Sequence, residues 1–120
     1  MVKYGSGLRR PAALLENRAE QSMDRQTQVI LPQSYFNRPT LVVARSLVGK
    51  YLIRENGRGT IAGKIIEVEA YIGVEDKACH ASKGRTARTE VLFGPPGIAY
   101  VYLIYGMYDM LNVVTERAEF

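Results

Sequence analysis

Gly63-Lys64-Ile65-Ile66-Glu67-Val68-Glu69-Ala70-Tyr71-Ile72-Gly73 is the stretch on which the reading of this chain turns. It continues a strand pattern that begins near Thr60, so a single long strand is expected from Thr60 to Tyr71. Side chains alternate faces along a strand. Ile66, Val68 and Ala70 therefore fall on one face, and Glu67, Glu69 and Tyr71 on the other. A polar row of this kind is commonly the solvated side of an antiparallel sheet. The same row, fixed on a rigid strand above an apolar layer, is also where a carboxylate can take a proton from water as a general base. Hydrolysis at a glycosidic carbon with oxocarbenium character commonly uses carboxylates in this way.

Upstream of this strand, Pro39 suits the first turn of a helix. Leu41, Ala44, Leu47 and Val48 recur at helical spacing, and Gly49 can end the helix. Lys50 to Glu55 reads as a strand, and Asn56-Gly57 is a hairpin turn signal. Downstream, residues 73–84 are polar and irregular, with one helical turn expected around Asp76 to His80. Phe93-Gly94-Pro95-Pro96-Gly97 is a rigid turn. Ile98 to Tyr105 and Tyr108 to Thr115 then read as two strands joined by a hairpin tip at Gly106-Met107. Leu41, Leu47, Leu52, Ile66, Val68, Val101, Leu103 and Val113 are the expected core. Residues 1–30 show little periodicity. They are expected to be a flexible or weakly helical extension, with Pro11 to Met23 as the helical part and the globular domain spanning 31–120.

With 120 residues, a single domain is the natural expectation. Its 47% apolar content is ordinary for a globular protein. No apolar run is long enough to cross a bilayer as a helix, so no membrane role is expected. Lys3, Arg9 and Arg10 precede only a short apolar stretch, which Glu16 ends, so no secretory leader is expected. The single cysteine, Cys79, permits no internal disulfide, and a reducing compartment is the simplest reading. Cys79, His80, Glu75 and Asp76 invite a metal reading. One cysteine and one adjacent histidine fall short of the roughly four ligands of a structural zinc site, so no metal is expected.

The net charge of +4 permits nucleic-acid binding without requiring it. Its placement says more. Lys83, Arg85 and Arg88 lie close together with no acid between them. Tyr100, Tyr102, Tyr105 and Tyr108 fall within nine residues, with Tyr100 and Tyr102 on one strand face and Tyr105 beside the hairpin tip. Tyrosines are common in strands for packing reasons alone. At a hairpin tip, however, Tyr105 and Met107 have nothing of their own to pack against, and such residues can wedge between base pairs or stack on a base.

The order of these segments resembles the alkyladenine (3-methyladenine) DNA glycosylase family. After the carboxylate strand come Glu75-Asp76, Ala78-Cys79-His80-Ala81, Gly84-Arg85-Thr86 and Phe93-Gly94-Pro95-Pro96-Gly97. Ala99-Tyr100-Val101-Tyr102, Ile104-Tyr105-Gly106-Met107-Tyr108 and Leu111-Asn112-Val113-Val114 follow, while Thr40 to Arg45 and Leu47 to Lys50 resemble the family's opening helix. The resemblance covers about residues 30 to 116. It implies a single α+β domain with a curved, mostly antiparallel sheet and a hairpin that enters the DNA minor groove.

The resemblance also implies a set of roles. Glu69 matches the acid that activates the attacking water. Tyr71, His80 and Tyr102 match the residues around the flipped purine, and Asn112 matches a pocket-floor residue that helps exclude guanine. Tyr105 matches the tyrosine that fills the gap in the duplex. Met107 and Tyr108 match its neighbours, and Arg85 and Arg88 belong with the DNA-binding surface. Flipping is needed because the reacting sugar carbon is hidden in stacked duplex. The implied partner is double-stranded DNA with damaged purines, bound by a monomer without cofactor or metal, in the cytoplasm of a bacterium or the nucleus of a eukaryote. No lysine stands in these roles, so no Schiff-base lyase step is expected.

Three positions depart from the family pattern. Val74 and Ile98 replace residues that are often proline and polar, respectively, and Asp109 puts an acid near the DNA-facing hairpin. The family's domain also continues past Asn112 into further strands and an arginine that helps hold the catalytic water. The chain is therefore expected to be the N-terminal part of such an enzyme, with its last strand unpaired at one edge. An inactive copy that at most binds DNA, and a non-enzymatic nucleic-acid-binding module, are the alternatives.

Overall fold

In the computed structural model, which describes residues 1–5 and 29–118, the pairing of the last strand is the first departure from expectation. Strand β1 (Val2–Gly5) lies between β4 (Glu69–Ala70) and β6 (Tyr108–Val113), and β5 (Ala99–Ile104) flanks β6 on its other side. This antiparallel sheet has the order β4-β1-β6-β5. The edge of β6 that sequence reading left open is therefore paired, by residues assigned to a flexible extension. The helix expected over Pro11 to Met23 lies outside the described residues.

Helix α1 (Thr40–Leu47) and a separate hairpin of β2 (Tyr51–Asn56) and β3 (Gly59–Lys64) complete the α+β architecture. The hairpin closes through Gly57-Arg58 next to the expected Asn-Gly signal, with Asn56 paired to Gly59.

Helix α1 buries Thr40, Val43, Ala44 and Leu47, the i, i+3, i+4, i+7 stripe of a helix against a core. Ile65 joins them, with Leu31, Tyr35, Phe36, Val68 and Ala70 packed around. Full burial of a side chain such as Val43 or Leu47 contributes about 1.5–3 kcal/mol. The buried stripe is offset from the expected one. Leu47 and Ala44 are inside, but Leu41 and Val48 are roughly half exposed.

The expected long strand is broken between Lys64 and Glu69. Gly49 N donates to Ile65 O and Ile65 N to Lys50 O, both at 2.7 Å, and these bonds turn Ile65 into the core. Ile66 is left 81% exposed, which overturns its place in the expected core. Leu52, Val101 and Leu103 are also exposed. Helix α1 packs on the β4 and β1 side of the sheet and leaves that face of β5 uncovered.

The N-terminus of α1 has no local side-chain cap, because its N-cap residue is Pro39. Glu116 supplies the cap from 76 residues away: its Oε1 accepts from Thr40 N at 2.9 Å and from Thr40 Oγ1 at 2.7 Å. A carboxylate there also complements the positive end of the helix dipole. Glu116 N donates to Phe36 O, and Thr115 Oγ1 lies 2.8 Å from Thr40 Oγ1. The α-amino group of Met1 donates to this same Thr115 Oγ1 and to Tyr71 O. Its burial pulls its pKa below the usual amine value, against the opposing pull of nearby acidic groups.

Glu116 makes these contacts with φ at +68°, a backbone region that disfavours residues with a Cβ. Glu116→Ala should lower stability by about 1–2 kcal/mol through loss of the cap. Glu116→Gly loses the same cap but relieves the backbone, so it should fall less, by roughly 1 kcal/mol. Urea midpoints of the two variants check the order; identical midpoints would show that no strain resides at 116.

Candidate functional site

The strand register assembles the site. Position 3 of β1 pairs with Glu69 on one side and Asn112 on the other, and Asn112 pairs with Tyr100 of β5. Glu69, Asn112 and Tyr100 therefore lie in one row across the sheet. By the two-residue alternation of strands, Tyr102 lies on the same face. This face is the more buried one on β5: Tyr100 is 5% exposed and Tyr102 is half-buried, whereas Val101 and Leu103 are 56% and 55% exposed. The alternation read from sequence holds, but the tyrosines, not the aliphatics, are the buried side.

Tyr71 follows β4, and its backbone N donates to Met1 O. Its hydroxyl donates to Glu69 Oε2, which ties the candidate base to a neighbouring aromatic ring. Glu67 is exposed in the broken stretch before β4. The shared polar face of Glu67, Glu69 and Tyr71 thus reduces to Glu69 and Tyr71.

His80 opens a 3-10 turn (His80–Lys83), slightly later than the helical turn expected around Asp76 to His80. Its Nδ1 lies 3.0 Å from the Tyr100 hydroxyl. Its ring centroid is 4.5 Å from that of Tyr102 and 5.9 Å from that of Tyr100, while the two tyrosine rings are 5.5 Å apart. The structure thus brings the rings of His80 and Tyr102 together, and adds Tyr100, to which sequence reading gave no role. The Arg88 guanidinium lies 5.8 Å over the Tyr102 ring, at the outer limit of a cation–π contact. Arg85 lies 4.8 Å over Phe93 and 3.6 Å from Glu90. Both members of that pair are substantially exposed, so it adds little stability. The loop bearing the two arginines is braced by Thr89, whose buried hydroxyl donates to Gly84 O and bonds Thr86.

Asn112 is fully buried. Its Nδ2 donates to Tyr100 O at 3.2 Å and Met110 O at 3.4 Å, while Oδ1 has no partner among the described residues. A buried polar atom without a partner costs about 1–3 kcal/mol, and such atoms are uncommon outside functional positions.

At the far end of the β5–β6 hairpin, Tyr105 and Gly106 have φ of +53° and +67°, the positive values of a type I′ turn, and Met107 N donates to Ile104 O. Tyr105 is 82% exposed, and Met107 and Tyr108 project beside it. A tyrosine with positive φ stores strain of about 1–2 kcal/mol. The tip thus holds an aromatic ring largely in solvent at a cost that packing among the described residues does not offset.

A small cavity of about 30 Å³, lined in part by Thr40, Cys79, Ala81, Val114 and Thr115, includes Tyr71 but not Glu69, His80, Tyr100, Tyr102 or Asn112. It has room for a water molecule but not for a planar bicyclic base. The sheet face that carries Glu69, Tyr100 and Tyr102, with His80 against the two tyrosines, is therefore the better candidate site.

The family model for methylpurine-DNA glycosylases matches residues 34–120. The chain is 62% identical over 88 residues to a protein of Methanocella arvoryzae, covering 73% of this chain and 44% of the relative. It is 58% identical over 87 residues to one from Legionella pneumophila strain Corby, covering 72% and 48%. It is 60% identical over 86 residues to one from Myxococcus xanthus, covering 72% and 44%. The curated names of all three assign them provisionally as 3-methyladenine DNA glycosylases. The chain spans about half the length of these relatives.

Proposed function

Because the chain belongs to the methylpurine-DNA glycosylase family, we propose that it serves base-excision repair by hydrolysing the N-glycosidic bond of alkylated or otherwise modified purines in double-stranded DNA. The observation that carries this reading is the row of Glu69, Asn112 and Tyr100 across the sheet, with Tyr102 on the same face.

In the proposed reaction the purine leaves the stack and enters the aromatic face formed by Tyr71, His80 and Tyr102. Glu69 takes a proton from water, and the water oxygen forms a bond to the sugar carbon. The electrons of the glycosidic bond leave with the purine, and a purine made cationic by alkylation departs neutral. The Tyr71 hydroxyl holds the Glu69 carboxylate during this step. Tyr105 fills the vacated space in the duplex, Met107 and Tyr108 line the minor groove, and Arg85 and Arg88 meet phosphates. Asn112, fully buried on the same face, is the candidate for the pocket-floor residue that excludes guanine.

A second reading is that the chain binds damaged DNA without turnover. Incubation with a duplex carrying one 3-methyladenine or hypoxanthine, followed by alkaline cleavage at abasic sites, tests both. Strand breaks at the lesion support the glycosylase. Lesion binding without breaks supports the second reading, and the absence of both binding and breaks overturns both readings.

Tyr105→Ala should weaken lesion-duplex binding by roughly 5- to 100-fold, the range for losing one aromatic stacking partner. Fluorescence anisotropy measures it, and undiminished affinity would remove Tyr105 from the interface.

A further inference from the structure

Strand β4, which carries Glu69, is two residues long and stands at the edge of its sheet. Among the described residues its strand partner is β1. Val68 and Ala70 pack against the core beside α1, but apolar packing is non-directional and sets no register. The register of Glu69 is therefore a matter of backbone hydrogen bonds.

Met1 and Tyr71 exchange two of these: Met1 N donates to Tyr71 O and Tyr71 N to Met1 O, each at 2.9 Å. In an antiparallel ladder such doubly bonded pairs recur every second residue. Lys3 is paired with Glu69, so these two residues form the next doubly bonded pair. Val2 and Tyr4 turn their backbone groups the other way, towards Val113 and Leu111 of β6. The backbone of Lys3 thus grips the backbone of the candidate base itself.

Strand β1 is also a spacer. Lys3 stands between Glu69 and Asn112 in the row across the sheet. Neighbouring strands lie about 4.8 Å apart, so one inserted strand sets the backbones of Glu69 and Asn112 roughly 10 Å apart. No other described strand joins β4 to β6. Residues 1–5 precede the segment 34–120 that the family model matches, so the spacer lies outside that match.

We propose that Lys3 is a positioning residue whose backbone, on β1, holds Glu69 in register with Asn112 and fixes the separation of the candidate base from the pocket floor. The effect on catalysis rests on the glycosylase reading; the grip of Lys3 on Glu69 does not.

Lys3→Pro removes the N–H that faces Glu69, and sheets accept proline only at edges and bulges. In nuclear magnetic resonance of the full chain, the wild type should show close Hα–Hα contacts at the non-bonded pairs Val2–Ala70 and Lys3–Asn112. In Lys3→Pro the amides of Glu69 and Tyr71 should exchange roughly 10-fold faster, about the worth of one hydrogen bond. Amides paired between β5 and β6 should keep their rates. Lys3→Arg retains the N–H, so Glu69 should stay protected. A wild type without the Val2–Ala70 contact overturns the proposal even if Lys3→Pro fails to fold. So does a folded Lys3→Pro in which Glu69 and Tyr71 exchange as in the wild type.

On lesion duplex, single-turnover release by Lys3→Pro should fall about 10²-fold, as for a reacting group misplaced by about 1 Å. Affinity should persist, because Tyr105, Met107 and Tyr108 lie at the far end of the β5–β6 hairpin and Arg85 and Arg88 on a separate loop. Undiminished release despite a deprotected Glu69, or an equal loss of affinity, removes the positioning role. A wild type that shows the strand contacts but neither binds nor processes damaged DNA would refute the functional reading and leave the grip of Lys3 standing.

Discussion

Glu69→Gln should reduce the single-turnover rate of base release by about 10²- to 10⁴-fold, the usual contribution of a positioned general base. Binding to lesion-containing duplex should persist. The amide oxygen of glutamine can still accept the Tyr71 hydroxyl that now bonds Glu69 Oε2, so the local geometry is kept and only proton abstraction is lost. Stability should change little, because Glu69 lies on the exposed side of its short strand. Single-turnover release and an anisotropy titration on the same duplex separate the two effects. A variant that releases base at the wild-type rate would dismiss Glu69 as the base, whatever the standing of the family.

The second large effect concerns folding. Asn112→Asp replaces a fully buried amide by a carboxyl of the same shape. The atom that now donates to Tyr100 O and Met110 O becomes an oxygen facing two carbonyl oxygens. An uncompensated buried charge costs about 3–5 kcal/mol. That is a large fraction of the roughly 5–15 kcal/mol that holds a typical domain together. Burial raises the folded-state pKa of the new carboxyl above its unfolded value of about 3.9. The variant should therefore approach wild-type stability below that value, where the protonated carboxyl can donate to one carbonyl, and lose stability as pH rises through the raised pKa. Urea titrations at acid and neutral pH check this. A penalty that does not depend on pH would mean that the carboxyl reaches water.

Much of this molecule was legible in its sequence because its signals are local. Gly49, Gly97 and Gly106 stand where the backbone takes positive φ, and the hairpin with Tyr105 at its tip forms from residues adjacent in the chain. The order of the pocket motifs likewise carried the family. What could not be read depends on distant partners. Ile65 and Ile66 are chemically alike, and only the pairing of Ile65 with Gly49 and Lys50 decides which is buried. Val2–Gly5 carries too few residues for a periodic pattern, and its place as a strand is set by β4 and β6 on either side. The bond between Tyr100 and His80 spans 20 residues, and alternation gave only the face. Glu116 offered no sign that it would cap a helix so far away.

That cap has a bearing on how the protein is made. Helix α1 is eight residues long, too short to persist alone in water, and its N-terminal donors are satisfied by a carboxylate 76 residues later. At about 5–20 residues per second of synthesis, the helix waits roughly 4–15 s on the ribosome before its partner exists. Through that interval Val43 and Leu47 can meet Ile65, Val68 and Ala70, but the first turn of the helix stays uncapped. The last step of building this helix, the satisfaction of Thr40 N, should therefore come only once the segment after β6 is free to return to it.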